Sequence, residues 1–336
     1  MHQEILFHEK NHIGYVLLNR PHALNALSLH MIHALFTQLT AWKSEENIAA
    51  IIIEGAGERA FCAGGDVRYV YQNRDKLLSG EENYFDAEYQ LNELIFNYPK
   101  PYIALLNGIT MGGGVGVSIW GSHRIATESL VFAMPETSIG LFPDIGASYF
   151  LTRLPHWMGW YLGLTGNAIN AYEAYTLGIV HTILSNEQLA TFKEKLDPYS
   201  IVLPAPTALN TGSDLLEHTA DVERCFSNSS IEEIIAALEK GDPWCQATAA
   251  TLKTRSPLSL KVTQQYLNIS QDKSFHEIIQ LNRTLAYHFI RHPEFFEGIR
   301  AAVIDKDKNP TWTYTLSDID DAIITNFFLT KAPTDP

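Results

Sequence analysis

Two acidic residues in an apolar segment are the first candidates for chemistry in this chain of 336 residues. Glu136 and Asp144 stand among Met, Ile, Leu and Phe side chains. A carboxyl group buried among such side chains loses hydration, which raises its pKa toward the range that suits general acid–base catalysis. The alternative is that Glu136 caps a helix and that Asp144 occupies a turn after Pro143. These residues alone leave both interpretations open.

Two glycine-rich segments could offer backbone N–H groups to a ligand. Residues 60–66 contain two adjacent glycines before Asp66, and residues 107–116 contain three in a row. Glycines let a backbone approach a ligand closely. The second segment lacks the Gly-Lys-Ser/Thr of a phosphate-binding loop and the downstream acid of a dinucleotide site, so it favours oxyanion stabilisation. An ordinary turn and close helix–strand packing are the respective alternatives.

The elements that must position these residues alternate between strand and helix patterns. Short apolar runs at residues 13–18, 49–53 and 102–106 predict buried strands. Between the first two, Ser28 is a candidate N-cap for a helix whose apolar residues recur every three or four positions. This alternation predicts an α/β core.

The C-terminal part has a different pattern. Residues 203–212 have a loop composition, and helical patterns follow at residues 231–239 and 275–290. Ser230 with Glu233 predicts a capping box at the first of these helices. We therefore expect an α/β core over residues 1–203 and a helical C-terminal region over residues 204–336.

Composition excludes several classes of protein. A net charge of −14 argues against nucleic-acid binding, which needs a basic surface. The longest apolar runs are far shorter than the roughly 20 residues of a membrane span, so we expect a soluble protein without membrane contact. The 13 histidines contain no HExxH pair, and His30 and His33 lack an evident third ligand, so no metal site is predicted.

Cysteine usage and the N-terminus bear on location. Cys62, Cys225 and Cys245 stand far apart and form no disulfide framework, which favours a reducing compartment. The first ten residues carry acids and no apolar core of a signal peptide, so we expect no leader. The predicted location is cytoplasmic.

The three chemical segments, in this order and spacing, resemble the enoyl-CoA hydratase/isomerase (crotonase) superfamily. The resemblance covers residues 18–144 and continues through residues 256–261 and 296–312. It implies an α/β fold of repeated ββα units wound into a superhelix, with a helical C-terminal part. It also implies an acyl-CoA substrate, no separate cofactor and a possible homo-oligomer. The backbone N–H groups of Gly65 and Gly113 would bind the thioester oxygen.

One departure from the superfamily separates its branches. Hydratases carry a glutamate three residues beyond the second oxyanion glycine, where this chain has Gly116. What remains resembles a branch that hydrolyses short hydroxyacyl-CoA thioesters, above all 3-hydroxyisobutyryl-CoA in valine degradation. That resemblance makes Glu136 and Asp144 the catalytic pair and Glu88 a substrate contact.

Further substrate contacts and two alternatives complete the predictions. Arg20, Ala23 and Ala63 are predicted to contact the substrate, and Arg20, Lys261 and Arg300 are candidates for holding the CoA phosphates. Glu136 could act as a general base on water or as a nucleophile that forms an anhydride. The alternative functions are a hydratase or isomerase of the same superfamily, and a catalytically weak binding protein on the same scaffold, for which RNA is one conceivable partner.

Overall fold

The computed structural model of the protein describes residues 3–207 and 212–329. These residues form two compact units, each assembled from separate stretches of chain. Unit 1 comprises residues 3–66, 90–134, 168–207 and 212–216, and unit 2 comprises residues 67–89, 135–167 and 217–329.

The units differ in outline from the predicted division after residue 203. Residues 67–89 and 135–167 cluster with the C-terminal helices and not with the N-terminal sheets. The reason is that the segment carrying Glu136 is buried by those helices, as described below. The predicted loop is irregular through residue 207, and its part at residues 208–211 lies outside the described residues.

The described residues contain ten strands, all within unit 1. They are β1 Ile5–Lys10, β2 Ile13–Leu18, β3 Ala50–Gly55, β4 Ala60–Cys62, β5 Tyr102–Leu106, β6 Ile109–Met111, β7 His123–Thr127, β8 Val131–Ala133, β9 Ile169–Asn170 and β10 Thr182–Leu184. The larger sheet has the order β1-β2-β3-β5-β7-β10, and the smaller has the order β4-β6-β8-β9.

Consecutive strands are divided between the two sheets in a regular way. In the pairs β3–β4, β5–β6 and β7–β8, the first strand joins the larger sheet and the second joins the smaller one. Neighbours β2, β3, β5, β7 and β10 run parallel, as do β4, β6 and β8. Ile51, Ile52 and Ile53 of β3 are all fully buried, as expected for a strand covered on both faces. This is the ββα repeat that the resemblance to the superfamily implies.

Seventeen α-helices occur in the described residues. They are α1 Leu29–Ser44, α2 Val67–Gln72, α3 Arg74–Ser79, α4 Tyr84–Phe96, α5 Gly113–Gly116, α6 Ser148–Leu151, α7 Met158–Thr165, α8 Ala171–Thr176, α9 Asn186–Lys195, α10 Asp214–Glu217, α11 Thr219–Phe226, α12 Ile231–Glu239, α13 Pro243–Thr254, α14 Pro257–Ser270, α15 Phe275–Phe289, α16 Pro293–Ile299 and α17 Asp321–Phe328. Short 3₁₀ turns cover Pro21–Ala23, Glu136–Ile139 and Leu316–Asp318, and a π-helical turn covers Arg300–Ile304. No helix in this part of the chain has both the length and the apolar character of a membrane span.

Two helix starts follow the predicted caps. Ser28 Oγ accepts a hydrogen bond from Met31 N at 3.2 Å at the start of α1, and Ser230 Oγ accepts one from Glu233 N at 3.2 Å at the start of α12. The predicted capping box at α12 is wrong in its second half. Glu233 Oε2 accepts from the N and Oγ of Ser229, one residue before the cap, because the serine hydroxyl there offers a second donor.

Two glycines in unit 2 bring α16 against the turn that begins with Glu136. A Cβ added at Gly298 of α16 would lie 2.3 Å from the carbonyl oxygen of Ile139, and one added at Gly140 would lie 2.4 Å from that of Glu294. Gly140 also has a φ of +70°, which side chains disfavour. The backbones therefore touch directly, and α16 fixes the position of the turn.

We expect Gly298→Ala to destabilise the protein, because its Cβ would overlap backbone atoms that cannot move aside. Overpacking of this kind costs about 1–3 kcal/mol of the free energy of unfolding. Urea denaturation followed by circular dichroism measures this loss. Gly212→Ala is the control, since a Cβ there meets nothing within 4 Å. An equal effect of the two substitutions would contradict the close packing.

Candidate active site

Three buried carboxyl groups come together in unit 2. Glu88 extends from α4, Glu136 is the first residue of its 3₁₀ turn, and Asp144 follows that turn. Their side chains belong to residues that are only 3%, 5% and 5% exposed. The charge of Asp144 acts on both glutamates. The structure thus groups the three acids that the sequence predicts to be functional.

A tyrosine hydroxyl contacts one of these acids. Tyr89, the residue after Glu88 on α4, is fully buried and donates a hydrogen bond to Asp144 Oδ2 at 2.8 Å. Sequence reasoning missed this residue. Its position next to Glu88, a predicted substrate contact, was the available signal. The sequence did not show whether this segment is a helix or a strand, and so it did not show which way the Tyr89 side chain points.

Burial dominates the electrostatics of the cluster. Burial raises the pKa of Glu136 well above its ordinary value, and the charges of Asp144 and Glu88 add to the rise. Burial and then the charge of Asp144 raise the pKa of Glu88 in the same way. Burial raises the pKa of Asp144 to about 7, although the hydrogen bond from Tyr89 acts to lower it. The pKa of all three groups is therefore raised, and that of Asp144 lies at about 7, where general acid–base catalysis is efficient.

Two carboxyl oxygens of the cluster have no partner. Glu88 Oε1 and Glu136 Oε2 are buried and make no hydrogen bond to any described residue. A buried polar atom without a partner costs about 1–3 kcal/mol, so such atoms call for an explanation. A bound molecule with a hydroxyl group, or a water molecule, would satisfy both oxygens. This pattern is typical of a binding site.

The backbone after Asp144 is strained, and hydrogen bonds hold it in place. Ile145 has a φ of +52°, which is unfavourable for a β-branched residue, and Gly146 follows with a φ of +80°. Asn282 Oδ1 of α15 accepts from Gly146 N at 2.6 Å, and Asn282 Nδ2 donates to the Tyr266 hydroxyl at 2.6 Å. Strain held by a buried network is common at functional sites. Sequence reasoning also missed Asn282 and Tyr266.

The two predicted oxyanion donors lie in unit 1. The N–H groups of Gly65 and Gly113 find no hydrogen-bond acceptor among the described residues. Their segments approach closely, since a Cβ added at Gly64 would lie 3.7 Å from Gly113 N, and one at Gly114 would lie 2.2 Å from the carbonyl oxygen of Cys62. Both N–H groups are therefore available to a ligand.

Arg20 is engaged in ion pairs within unit 1. Its Nη2 lies 2.9 Å from Asp66 Oδ2 and its Nε lies 3.1 Å from Glu4 Oε1, while Nη1 donates to the Ala26 carbonyl at 2.7 Å. This arrangement favours a structural crosslink over the predicted phosphate contact.

The alanines predicted to contact substrate lie near this crosslink. Ala23 ends the 3₁₀ turn that begins at Pro21, and Ala63 N donates to the Leu24 carbonyl at 3.0 Å. Both alanines are half-buried. Their contact with substrate stays a prediction.

The basic residues of the tail are also paired. Lys261 Nζ lies 2.7 Å from Glu232 Oε1 and donates to the Ile319 carbonyl at 3.0 Å. Arg300 lies 2.6–2.8 Å from carboxylate oxygens of three acids, namely Glu297, Asp305 and Asp307. Acid partners thus already occupy both side chains, which speaks against their role as phosphate ligands.

One group of potential metal ligands occurs in the described part of the chain. His218, Asp221 and Asp242 bring ligand atoms within 4.8 Å of one another. These side chains have other partners, because His218 Nε2 lies 3.0 Å from Asp242 Oδ2 and Asp221 Oδ1 accepts from Arg224 at 2.6 Å. The expectation of no metal site stays a prediction.

Comparisons with known proteins agree on one family. The profile described as Enoyl-CoA hydratase/isomerase matches residues 13–328. The human protein named 3-hydroxyisobutyryl-CoA hydrolase, mitochondrial, is 37% identical over 99% of this chain and 90% of its own length. The Arabidopsis thaliana 3-hydroxyisobutyryl-CoA hydrolase 1 is 39% identical over 97% of this chain and 91% of its own. The crystal structure of an enoyl-CoA hydratase from Rhodobacter sphaeroides superposes with a TM-score of 0.92, at 30% identity and 97% coverage of both chains.

We expect Asp144→Asn to change how stability depends on pH. The folded-state pKa of about 7 exceeds the ordinary value of 3.8, so the folded protein holds this proton more tightly than the unfolded chain. That contribution to stability is complete below pH 3.8 and is lost as the pH rises through 7. Asparagine has no such titration. Relative to wild type, the variant should gain about 2–3 kcal/mol of unfolding free energy between pH 5 and pH 8.

Urea denaturation at the two pH values measures this difference. Asp75→Asn is the matched control, because the Asp75 side chain is 92% exposed. A constant difference between wild type and Asp144→Asn across this range would contradict the raised pKa of Asp144.

Proposed function

The chain belongs to the enoyl-CoA hydratase/isomerase family, and on that premise we propose that it hydrolyses 3-hydroxyisobutyryl-CoA to 3-hydroxyisobutyrate and coenzyme A. The main observation in support of this proposal is the buried carboxyl group of Glu136. Its Oε2 has no hydrogen-bond partner among the described residues, and Asp144 is an acidic neighbour. Relatives that bear the name of this hydrolase match nearly the whole chain, which supports the proposal.

The position of Gly116 favours hydrolysis over hydration. Hydration as carried out by superfamily members uses two glutamates on one water, and this residue stands where the second would be. Gly116 is buried in α5, and its carbonyl accepts from Asn92 Nδ2 at 3.1 Å. The site therefore keeps one carboxyl group of that pair, Glu136.

Glu136 carries the bond-breaking step in either of two ways. As a general base, it takes a proton from water while the water oxygen attacks the thioester carbon. As a nucleophile, its own oxygen attacks that carbon, the carbon–sulfur bond breaks and an anhydride forms, which water then opens to restore the carboxylate. In both routes coenzyme A leaves as the thiolate and takes up a proton. The raised pKa of Glu136 suits the first route, and its unpaired oxygen suits both.

Asp144 and Glu88 provide recognition of the hydroxyacyl group. A buried carboxyl group can accept from, or donate to, the substrate hydroxyl. Substrates without that hydroxyl would leave buried polar atoms unpaired, and sites of this kind reject such analogues strongly. These two residues thus determine a preference for hydroxyacyl thioesters.

The backbone N–H groups of Gly65 and Gly113 stabilise the negative charge that develops on the thioester oxygen. Loss of one such donor costs about 2.7–4 kcal/mol of barrier in other enzymes. Neither N–H group has a hydrogen-bond acceptor among residues 3–207 and 212–329, which supports this assignment.

The remaining features of the proposal concern the setting of the reaction. Coenzyme A enters as part of the substrate, and the reaction uses no separate cofactor, metal or nucleic acid. We assign the protein to valine degradation and to the cytoplasm. The human relative is named as a mitochondrial protein.

We expect purified wild-type protein to release thiol from 3-hydroxyisobutyryl-CoA and to hydrate crotonyl-CoA negligibly. Glu136→Gln should lower kcat by about 10²–10⁴-fold, because the amide can neither accept the proton nor form the anhydride. Thiol release is followed with a chromogenic thiol reagent, and hydration by loss of enoyl absorbance. Asp75→Asn is the control variant, since its side chain is exposed.

Two other outcomes would change the assignment. Rapid hydration without thiol release would make the chain a hydratase of the same family. Undiminished thiol release by Glu136→Gln would remove Glu136 from the catalytic step.

A further inference from the structure

Tyr89 is the one other side chain in the described residues that donates a hydrogen bond to any of the three buried acids. Its hydroxyl contacts Asp144, while Glu88 Oε1 and Glu136 Oε2 have no donor. We propose that Tyr89 is a positioning residue that makes Asp144 the first acid of the cluster to ionise, while Glu88 keeps its proton longer. This inference rests on the proposed function, in which Asp144 contacts the substrate or water.

Because no basic residue in the described part of the chain acts on Asp144, the hydroxyl of Tyr89 has a large effect on its ionisation. The titratable groups that face Asp144 are Glu88 and Tyr89 from α4, Glu136 from its 3₁₀ turn and Tyr266 from α14. In the described part of the chain, no Lys, Arg or His contributes to the pKa of Asp144. Hydrogen bonds therefore stabilise its charge, and the one from the Tyr89 hydroxyl contributes more than the one from the backbone.

The physical basis is that the ionisation of one buried acid disfavours the ionisation of its two neighbours. Acids this deeply buried do not all ionise together, and a hydrogen bond to one carboxylate favours ionisation there. Ionised Asp144 is a pure acceptor, which fits a substrate hydroxyl or an attacking water. Glu88, still protonated, can donate to the same substrate. The acids of the cluster therefore ionise in a fixed order before substrate binds.

A purely structural role for Tyr89 is the competing explanation. The ring is fully buried, and its centroid lies 6.3 Å from that of Phe85. If the ring only fills space, the loss of its hydroxyl would change activity by the same factor at every pH. If the hydroxyl controls the charge of Asp144, the loss would depend on pH.

We expect Tyr89→Phe to shift the acidic limb of the kcat/KM profile for 3-hydroxyisobutyryl-CoA upward by about one pH unit, as loss of a hydrogen bond to a charge implies. Activity below the limb should fall about tenfold and should recover toward wild type at high pH. Tyr102→Phe is the matched control, because Tyr102 is a buried tyrosine of unit 1 whose hydroxyl donates to the Val117 carbonyl at 3.0 Å. A uniform loss, or an unmoved limb, would overturn the proposal.

A second measurement separates this proposal from the proposed function. Carboxyl ¹³C chemical shifts of aspartate-labelled protein, with Asp144→Asn to assign the signal, report the midpoint of Asp144 titration without any substrate. The midpoint should rise in Tyr89→Phe and stay unchanged in Tyr102→Phe. An unchanged midpoint in Tyr89→Phe overturns the proposal, whereas a raised midpoint in a protein that hydrolyses no thioester would overturn the function alone.

Discussion

The burial of three carboxyl groups in one unit is the constraint on which the rest of the structure depends. A buried charge is costly unless it is paired, so burial raises the pKa of Glu88, Glu136 and Asp144 above their ordinary values. Apart from Tyr89, the described surroundings leave the acids without side-chain donors. Burial of these acids therefore costs stability, but it also brings the pKa of Asp144 to about 7, where the group can exchange a proton in catalysis.

The C-terminal helices hold this unfavourable arrangement in place. Gly298 and Gly140 bring α16 into backbone contact with the turn of Glu136, and Asn282 of α15 holds the strained backbone after Asp144. The C-terminal helices are therefore part of the site's support. A strained turn persists only where its surroundings determine it fully, and these contacts provide that determination.

Much of the fold could be predicted from local patterns, whereas the support of the site could not. The β-branched run of β3 and the cap at Ser28 are short-range signals, and the structure confirms both. The hydrogen bond from Gly146 to Asn282 joins residues 136 positions apart, and no periodicity reports such a pair. Likewise, the sequence offers Arg20 as a candidate phosphate ligand, whereas its ion pair with Asp66 joins residues 46 positions apart, which no local pattern reports.

The most direct test of the account is the ratio of kcat/KM for 3-hydroxyisobutyryl-CoA to that for isobutyryl-CoA, which lacks only the hydroxyl. The unpaired oxygens of Glu88 and Glu136, with Asp144 beside them, should be satisfied by the first substrate and left unpaired by the second. We expect a preference of roughly 10²-fold or more for the hydroxylated thioester. Equal rates for the two thioesters would show that the buried acids do not recognise the hydroxyl group and would contradict the account.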